Sequence, residues 1–214
     1  RRCSDGYWRM KLYHCADARS LRPLWALEEM GLEYELINMD FPPRASYPGY
    51  LDLNPMGTVP TFIDGDTTIT ESSGICHYLA EKYGPTKLSV TVDEPGYGEY
   101  LNWLYRSDAT FTFPQTLVLR YTRLEPVERR IPQVVEDYSI WYHSRLRAVE
   151  TALEGREFLV ADRFTMADIT VGYALFLGTT LGLDARYKPN CIRYLNSLME
   201  RQGFKQAREK QVVS

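Results

Sequence analysis

The chain has 214 residues, of which 44% are hydrophobic, and its formal net charge is −3 at pH 7. This composition can bury the core of two modest domains, and no apolar run reaches the roughly 20 residues that a membrane-spanning helix needs. The weak negative charge argues against a nucleic-acid surface, and the four cysteines show neither metal-ligand spacing nor a disulfide-dense pattern. We therefore expect a reduced, cytoplasmic protein with no metal and no nucleic-acid or membrane partner.

The first half of the chain alternates between strand and helix patterns. Residues 1–9 precede the first strand and are expected to be an extension or a misplaced start. The elements predicted after them are a strand over 11–15, a helix over 21–30, a strand over 34–39, a hairpin of strands over 61–63 and 68–70, and a helix from Ser72 to about Tyr83. This order is a βαβ unit followed by a ββα unit, which predicts an α/β domain over 10–84.

The second half of the chain carries helical spacing only. A linker is predicted over 85–95 and an all-helical domain over 96–210, because apolar residues there recur at intervals of three and four. Thr165 and Asp168 form a capping box that opens a strongly apolar helix over 169–177. We expect that helix to run through the domain core and Asp168 to have a structural role.

The segment before the hairpin contains a Val-Pro pair at the start of a strand. Pro60 has no N–H to donate and restricts Val59 to an extended backbone, so Val59 can offer its own N–H and C=O to an extended peptide. After the hairpin, Glu71 and Ser72 stand at the head of a helix. The Ser72 hydroxyl and the free N–H groups of the first helical turn suit a carboxylate.

Together these motifs resemble the glutathione site of the cytosolic glutathione transferases, and the resemblance covers about residues 10–210. It implies a thioredoxin-like N-terminal domain followed by an all-helical domain, a cis bond between Val59 and Pro60, and glutathione as co-substrate. It also implies that Glu71 and Ser72 hold the γ-glutamyl end of glutathione, and that the protein is a homodimer. The run over 18–24 looks most like bacterial transferases of the theta, beta and β-etherase types.

The family's catalytic residue lies at the turn between the first strand and the first helix, where Ser20 is the best hydroxyl. A thiol with an ordinary pKa of about 8.5 is mostly protonated at neutral pH, so a donor beside a helix N-terminus favours the reactive thiolate. Ser20 is the predicted catalytic residue, although a role as helix N-cap would also explain it. Alignment with other classes places the active residue at Arg19, Asp17 or Ala18 instead.

The resemblance places the electrophile against the helical domain. Aromatic residues suit an apolar pocket with polar edges, and the candidates are Tyr105, Phe111, Phe113 and Tyr173, with Tyr121 and Phe176. The predicted function is attack of the glutathione thiolate on a small aromatic or apolar electrophile, in detoxification or aromatic catabolism. The alternatives are a glutathione-dependent β-etherase, lyase or disulfide reductase, and a non-enzymatic module for protein contacts.

Overall fold

A computed structural model describes residues 9–211 of the chain. These residues divide into two compact units. The first contains the chain up to Ser89 together with the segment from Met199 onward, and the second is Val90–Leu198. The expectation for residues 1–8 lies outside the described residues.

The first unit is built on a four-stranded mixed sheet. Its elements are β1 (Met10–His14), α1 (Leu21–Met30), β2 (Glu35–Asn38), α2 (Pro43–Ser46), α3 (Tyr50–Leu53), β3 (Thr61–Asp64), β4 (Thr67–Ile69) and α4 (Ser72–Lys82). The strand order is β2-β1-β3-β4, with β1 and β2 parallel and the other two pairs antiparallel. Every predicted element is present within a residue or two, and α1 supplies the crossover that a parallel pair requires. The helices α2 and α3 were not predicted, because one helical turn of four residues has no periodicity to detect.

Helix α1 is buried on all sides from Leu21 to Leu27, and it ends at the residue that the sequence predicts. Leu21, Leu24 and Trp25 are almost fully buried. Gly31 follows the helix in the left-handed region at φ 62°, and its N–H bonds the carbonyl of Glu28 at 3.2 Å. This conformation favours glycine and satisfies a terminal carbonyl, so the helix stops here.

The last helix, α11 (Gln202–Lys210), belongs to the first unit. The predicted helical domain extended to residue 210, whereas α11 packs on α1. Glu29 of α1 accepts two hydrogen bonds from Arg201, at 2.8 and 3.0 Å, and one from Trp25 Nε1 at 3.0 Å. A Cβ at Gly203 would lie 2.6 Å from Glu29 Cδ, so the missing side chain permits this close approach. Only the three-dimensional packing reveals this assignment, because α11 is amphipathic like any other surface helix.

The regular secondary structure of the second unit, within the described residues, is helical. Its elements are α5 (Tyr97–Arg106), a π-helical turn (Ser107–Thr112), α6 (Phe113–Leu119), a second π-helical turn (Arg120–Leu124), α7 (Pro132–Arg145), α8 (Arg147–Ala152), α9 (Met166–Thr180) and α10 (Pro189–Met199). Helix α9 is buried along most of its length, as predicted. Its capping box is confirmed, because Thr165 Oγ1 accepts from the Ala167 N–H at 3.2 Å and Asp168 Oδ2 accepts from the Thr165 N–H at 2.9 Å.

Candidate functional site

Three segments of the first unit that are far apart in sequence meet beside the N-terminus of α1. Val59 shares an apolar cluster with Cys15 and Tyr50, and Ala18 packs against this cluster. Arg22 Nη1, in the first turn of α1, lies 3.1 Å from the hydroxyl of Ser72 at the start of α4. The turn between β1 and α1, the Val-Pro pair and the head of α4 therefore lie next to one another.

The Val59-Pro60 bond is cis, as the sequence resemblance implied. The loop before it is fixed by side chains: Asn54 Nδ2 and the Tyr50 hydroxyl both donate to the Thr58 carbonyl, at 2.8 and 2.6 Å. Within residues 9–211, no hydrogen bond uses the backbone N–H or C=O of Val59. Both groups are thus available to pair with an extended backbone. The contributions of Tyr50 and Asn54 were not predicted, since neither residue type by itself indicates a loop support.

Glu71 and Ser72 occupy the positions at the head of α4 that the sequence predicted. Glu71 precedes the helix in an extended conformation and is exposed, while Ser72 is the first helical residue and is buried. The first N–H groups of a helix have no intrahelical partner, and the helix dipole places partial positive charge there. This arrangement suits an anionic group such as a carboxylate.

Ser20 is neither an exposed hydroxyl, as activation of a bound thiol would require, nor a helix cap through its side chain. Its side chain is fully buried and makes no capping hydrogen bond. Ser20 Oγ lies 2.7 Å from His14 Nδ1 and accepts from the Cys15 N–H at 3.3 Å. No sequence signal connects Ser20 with His14, because the ring enters the interior from the end of β1.

The neighbouring hydrogen bonds determine which way the Ser20 proton points. Gln211 Nε2 donates to the Asp17 carboxylate at 2.6 Å, so Gln211 Oε1 is the atom facing the Asp17 N–H at 3.2 Å and His14 Nε2 at 3.0 Å. A carbonyl oxygen only accepts, which requires the proton on His14 Nε2 and leaves Nδ1 as an acceptor. The Ser20 hydroxyl therefore donates to His14 at 2.7 Å and not to the Cys15 carbonyl, which lies 3.4 Å away. Burial lowers the pKa of His14 to about 4, against the opposing effects of Gln211 and Asp17, so the ring is neutral at pH 7.

The thiol of Cys15 is also unsuited to act as a nucleophile. Burial raises its pKa to about 11, and the negative charge of Asp40 adds to the effect. The Sγ atom lies 3.6 Å from the Asp40 carbonyl oxygen. Because the thiolate is the reactive form, Cys15 is a packing residue of the turn.

The aromatic candidates for the electrophile site divide between core and surface. Phe111 and Tyr173 are each 1% exposed, and Phe111 stacks on Trp103 with ring centroids 6.5 Å apart. Tyr105 and Phe113 are 71% and 48% exposed. Of the two further residues, Phe176 is buried and Tyr121 is half-buried. Helical spacing alone could not make this division.

No group of three or more His, Cys, Asp or Glu residues in 9–211 is arranged to hold a metal ion. None of the helices over the same residues is both long enough and apolar enough to cross a membrane.

Comparison with known proteins agrees with this geometry. The sequence model of the glutathione S-transferase N-terminal domain matches residues 9–81. The chain is 32% identical to Glutathione S-transferase 2 of Schizosaccharomyces pombe, over 73% of this chain and 70% of that protein. It is 31% identical to Glutathione S-transferase 1 of Triticum aestivum, over 74% of this chain and 75% of that protein. The chain belongs to the glutathione S-transferase family.

Solved structures show the same fold. The glutathione transferase URE2P6 of Phanerochaete chrysosporium, crystallised with oxidised glutathione, superposes with a TM-score of 0.84 at 27% identity over 98% of each chain. A glutathione transferase of Methylococcus capsulatus superposes with a TM-score of 0.84 at 26% identity, over 94% of this chain and 98% of that one. The predicted combination of a thioredoxin-like domain with a helical domain is confirmed.

Proposed function

We propose that this protein is an enzyme that catalyses attack of the glutathione thiolate on a small apolar or aromatic electrophile. The observation that carries the proposal is the meeting of Val59, with its available backbone groups, and Ser72, at the head of α4, beside the turn before α1. A ligand that presents an extended peptide backbone and a carboxylate at one end matches both features, and glutathione has both. The protein is a cytosolic homodimer in this proposal, and it needs no metal.

The proposed orientation of glutathione follows from the chemistry of each group. Its cysteinyl residue pairs with the N–H and C=O of Val59, which precede Thr61 at the start of β3. The carboxylate of its γ-glutamyl residue accepts from Ser72 and from N–H groups at the start of α4, while Glu71 attracts the γ-glutamyl amine. The thiol then lies toward the turn over 15–20.

Calorimetric titration with glutathione tests the binding step. The wild-type protein should show saturable binding, and Ser72→Ala should weaken it about 10- to 100-fold, which is the effect of losing a hydrogen bond to a charged group. Ser197→Ala is the matched control, because the Ser197 hydroxyl donates to the Tyr194 carbonyl within its own helix. Wild-type protein that does not bind millimolar glutathione would reject the proposal.

The activating group for the thiol is Ser20 or another group of the same turn. The burial of Ser20 and its hydrogen bond to His14 favour another group of the turn over Ser20. The candidates are the half-buried Arg19 and the backbone N–H groups. Ultraviolet titration of bound glutathione separates the two. A raised thiol pKa in Ser20→Ala, with glutathione affinity retained, assigns the role to Ser20, and a raised thiol pKa in Arg19→Met alone assigns it to Arg19.

Turnover measurements are needed to identify the electrophile and the transferase class. Tyr105 and Phe113 are the candidate contacts with the most exposed side chains, so Tyr105→Ala and Phe113→Ala should be tested first.

A panel of electrophiles, aryl ethers and disulfides, each with and without glutathione, distinguishes a transferase from a β-etherase, a lyase or a reductase. The run over 18–24 favours a bacterial class, whereas the two curated relatives named above come from a fungus and a plant. No glutathione-dependent turnover with any member of the panel, despite glutathione binding, would favour the non-enzymatic module.

A further inference from the structure

Arg22 is an unusual residue for the first turn of an interior helix. Its side chain is fully buried, although it carries a permanent positive charge, and the residues on either side of it, Leu21 and Pro23, are also buried. Arginine is seldom fully buried unless it has a specific partner, because removing its charge from water is unfavourable. One partner of Arg22 is the hydroxyl of Ser72.

The contact between Arg22 and Ser72 determines the direction of the Ser72 proton. A guanidinium group has donors and no acceptor, so in the 3.1 Å contact Ser72 Oγ must accept from Arg22 Nη1. The hydroxyl hydrogen of Ser72 is then directed to a different acceptor. Arg22 thereby sets Ser72 as a donor at the head of α4.

Two sources of positive potential lie beside the hydroxyl of Ser72. The positive charge of Arg22 lies beside the N-terminus of α4, where the helix dipole is positive. Both favour an anion, and both act over a short distance in surroundings of low dielectric, where electrostatic effects are stronger than in water. A serine hydroxyl at a helix N-terminus without this charge would discriminate less between a charged and a neutral ligand.

We infer that Arg22 is a positioning and specificity residue of the glutathione site. It holds Ser72 as a hydrogen-bond donor and makes the site select thiols that carry a free carboxylate on the γ-glutamyl residue. This inference rests on the glutathione binding proposed above and adds a residue and a ligand preference to it.

The test compares two ligands on three proteins. The ligands are glutathione and γ-aminobutyryl-cysteinyl-glycine, which differs from glutathione only in having hydrogen in place of the γ-glutamyl carboxylate. The wild-type protein should prefer glutathione by about 10- to 100-fold, and Arg22→Met should lose most of that preference by weakening glutathione while leaving the analogue unchanged. The control is Arg201→Met, which removes a guanidinium that binds Glu29 near the other end of α1 and should keep the preference.

The two affinities separate selectivity from simple damage to the fold. If Arg22→Met weakens both ligands equally, or keeps the full preference, the inference is overturned. Should Arg22→Met fail to fold in thermal melts, Arg22→Gln supplies the same comparison, because it keeps a donor for Ser72 but has no charge, and an undiminished preference in that variant overturns the inference. Failure of the wild-type protein to bind glutathione would instead reject the proposed function.

Discussion

The two compact units hold their buried polar side chains in different ways. In the first unit, such side chains join segments far apart in sequence: Gln211 binds His14, and Arg22 binds Ser72. In the helical unit, most serve a nearby helix backbone, as when Ser107 donates to the Leu104 carbonyl and Thr112 to the Ser107 carbonyl. The first unit thus uses polar contacts to join separate elements and, through Tyr50 and Asn54, to support the loop at Thr58, while the second relies on apolar packing around α9. A loop needs such support because it lacks the hydrogen-bond ladder of a helix or a strand.

Asp168 is the strongest exception in the helical unit, and replacing it should have the largest effect. Its carboxylate accepts from the Leu159 and Thr165 N–H groups at 3.1 and 2.9 Å and from the Tyr194 hydroxyl at 2.7 Å. Asp168→Ala leaves these buried donors without the carboxylate and should lower the free energy of unfolding by about 3–5 kcal/mol, measured by chemical denaturation. Thr165→Ala, which removes only the cap, should lower it by about 1 kcal/mol. Equal losses in the two variants would show that the network beyond the cap contributes nothing.

The network around His14 predicts how the stability of the first unit depends on pH. The pKa of His14 is about 4 in the folded protein, against an ordinary value of 6.5, because the ring is buried. Between these values the unfolded chain binds a proton that the folded protein does not, so the free energy of unfolding should fall by about 3 kcal/mol as the pH decreases from 6.5 to 4. Denaturation of wild-type protein and His14→Asn across this range measures the difference. Parallel pH profiles for the two proteins would contradict the prediction.

Adding a methyl group to a closely packed position tests whether the helical unit depends on apolar packing. A Cβ at Gly178 in α9 would lie 1.8 Å from the Tyr187 hydroxyl oxygen and 2.9 Å from that of Tyr142, and these two hydroxyls bond each other at 2.6 Å. Gly178→Ala should therefore lower the free energy of unfolding by about 1–3 kcal/mol. The matched control is Gly98→Ala in α5, where nothing lies within 4 Å of the new Cβ. That substitution should raise stability by about 0.5–1 kcal/mol, and equal signs in the two variants would refute the argument from packing.

The loop before the Val-Pro pair tests how far the first unit depends on polar contacts, and we expect a smaller effect on stability there. Asn54 donates to the Thr58 carbonyl and accepts from the Met56 N–H at 3.0 Å. Asn54→Ala removes both bonds and should lower the free energy of unfolding by about 1–2 kcal/mol. Because Tyr50 still donates to Thr58, the fold should survive while the loop loosens and glutathione affinity falls. Retained stability and unchanged affinity together would show that the loop does not depend on Asn54.

The sequence by itself determined the order of the four strands with α1 and α4, the limits of α1 and the capping box of α9. These features depend on signals local to the chain: hydrophobic period, a terminal glycine, and a threonine three residues before an acid. It also predicted that Val59 and Pro60 lie just before β3 and that Glu71 and Ser72 lie at the head of α4. Each of these residue types helps to define the start of its element. The fold around them follows from the same local rules.

The tertiary structure alone decided which side chains surround these positions. Arg22 and Ser72 are 50 residues apart, and His14 and Gln211 are 197 apart, so no spacing in the sequence connects them. The burial of Ser20, the division of the aromatic residues between core and surface, and the packing of α11 on α1 depend in the same way on contacts between distant segments. A pattern within one helix states which face is apolar, but only the packed chain determines what that face meets.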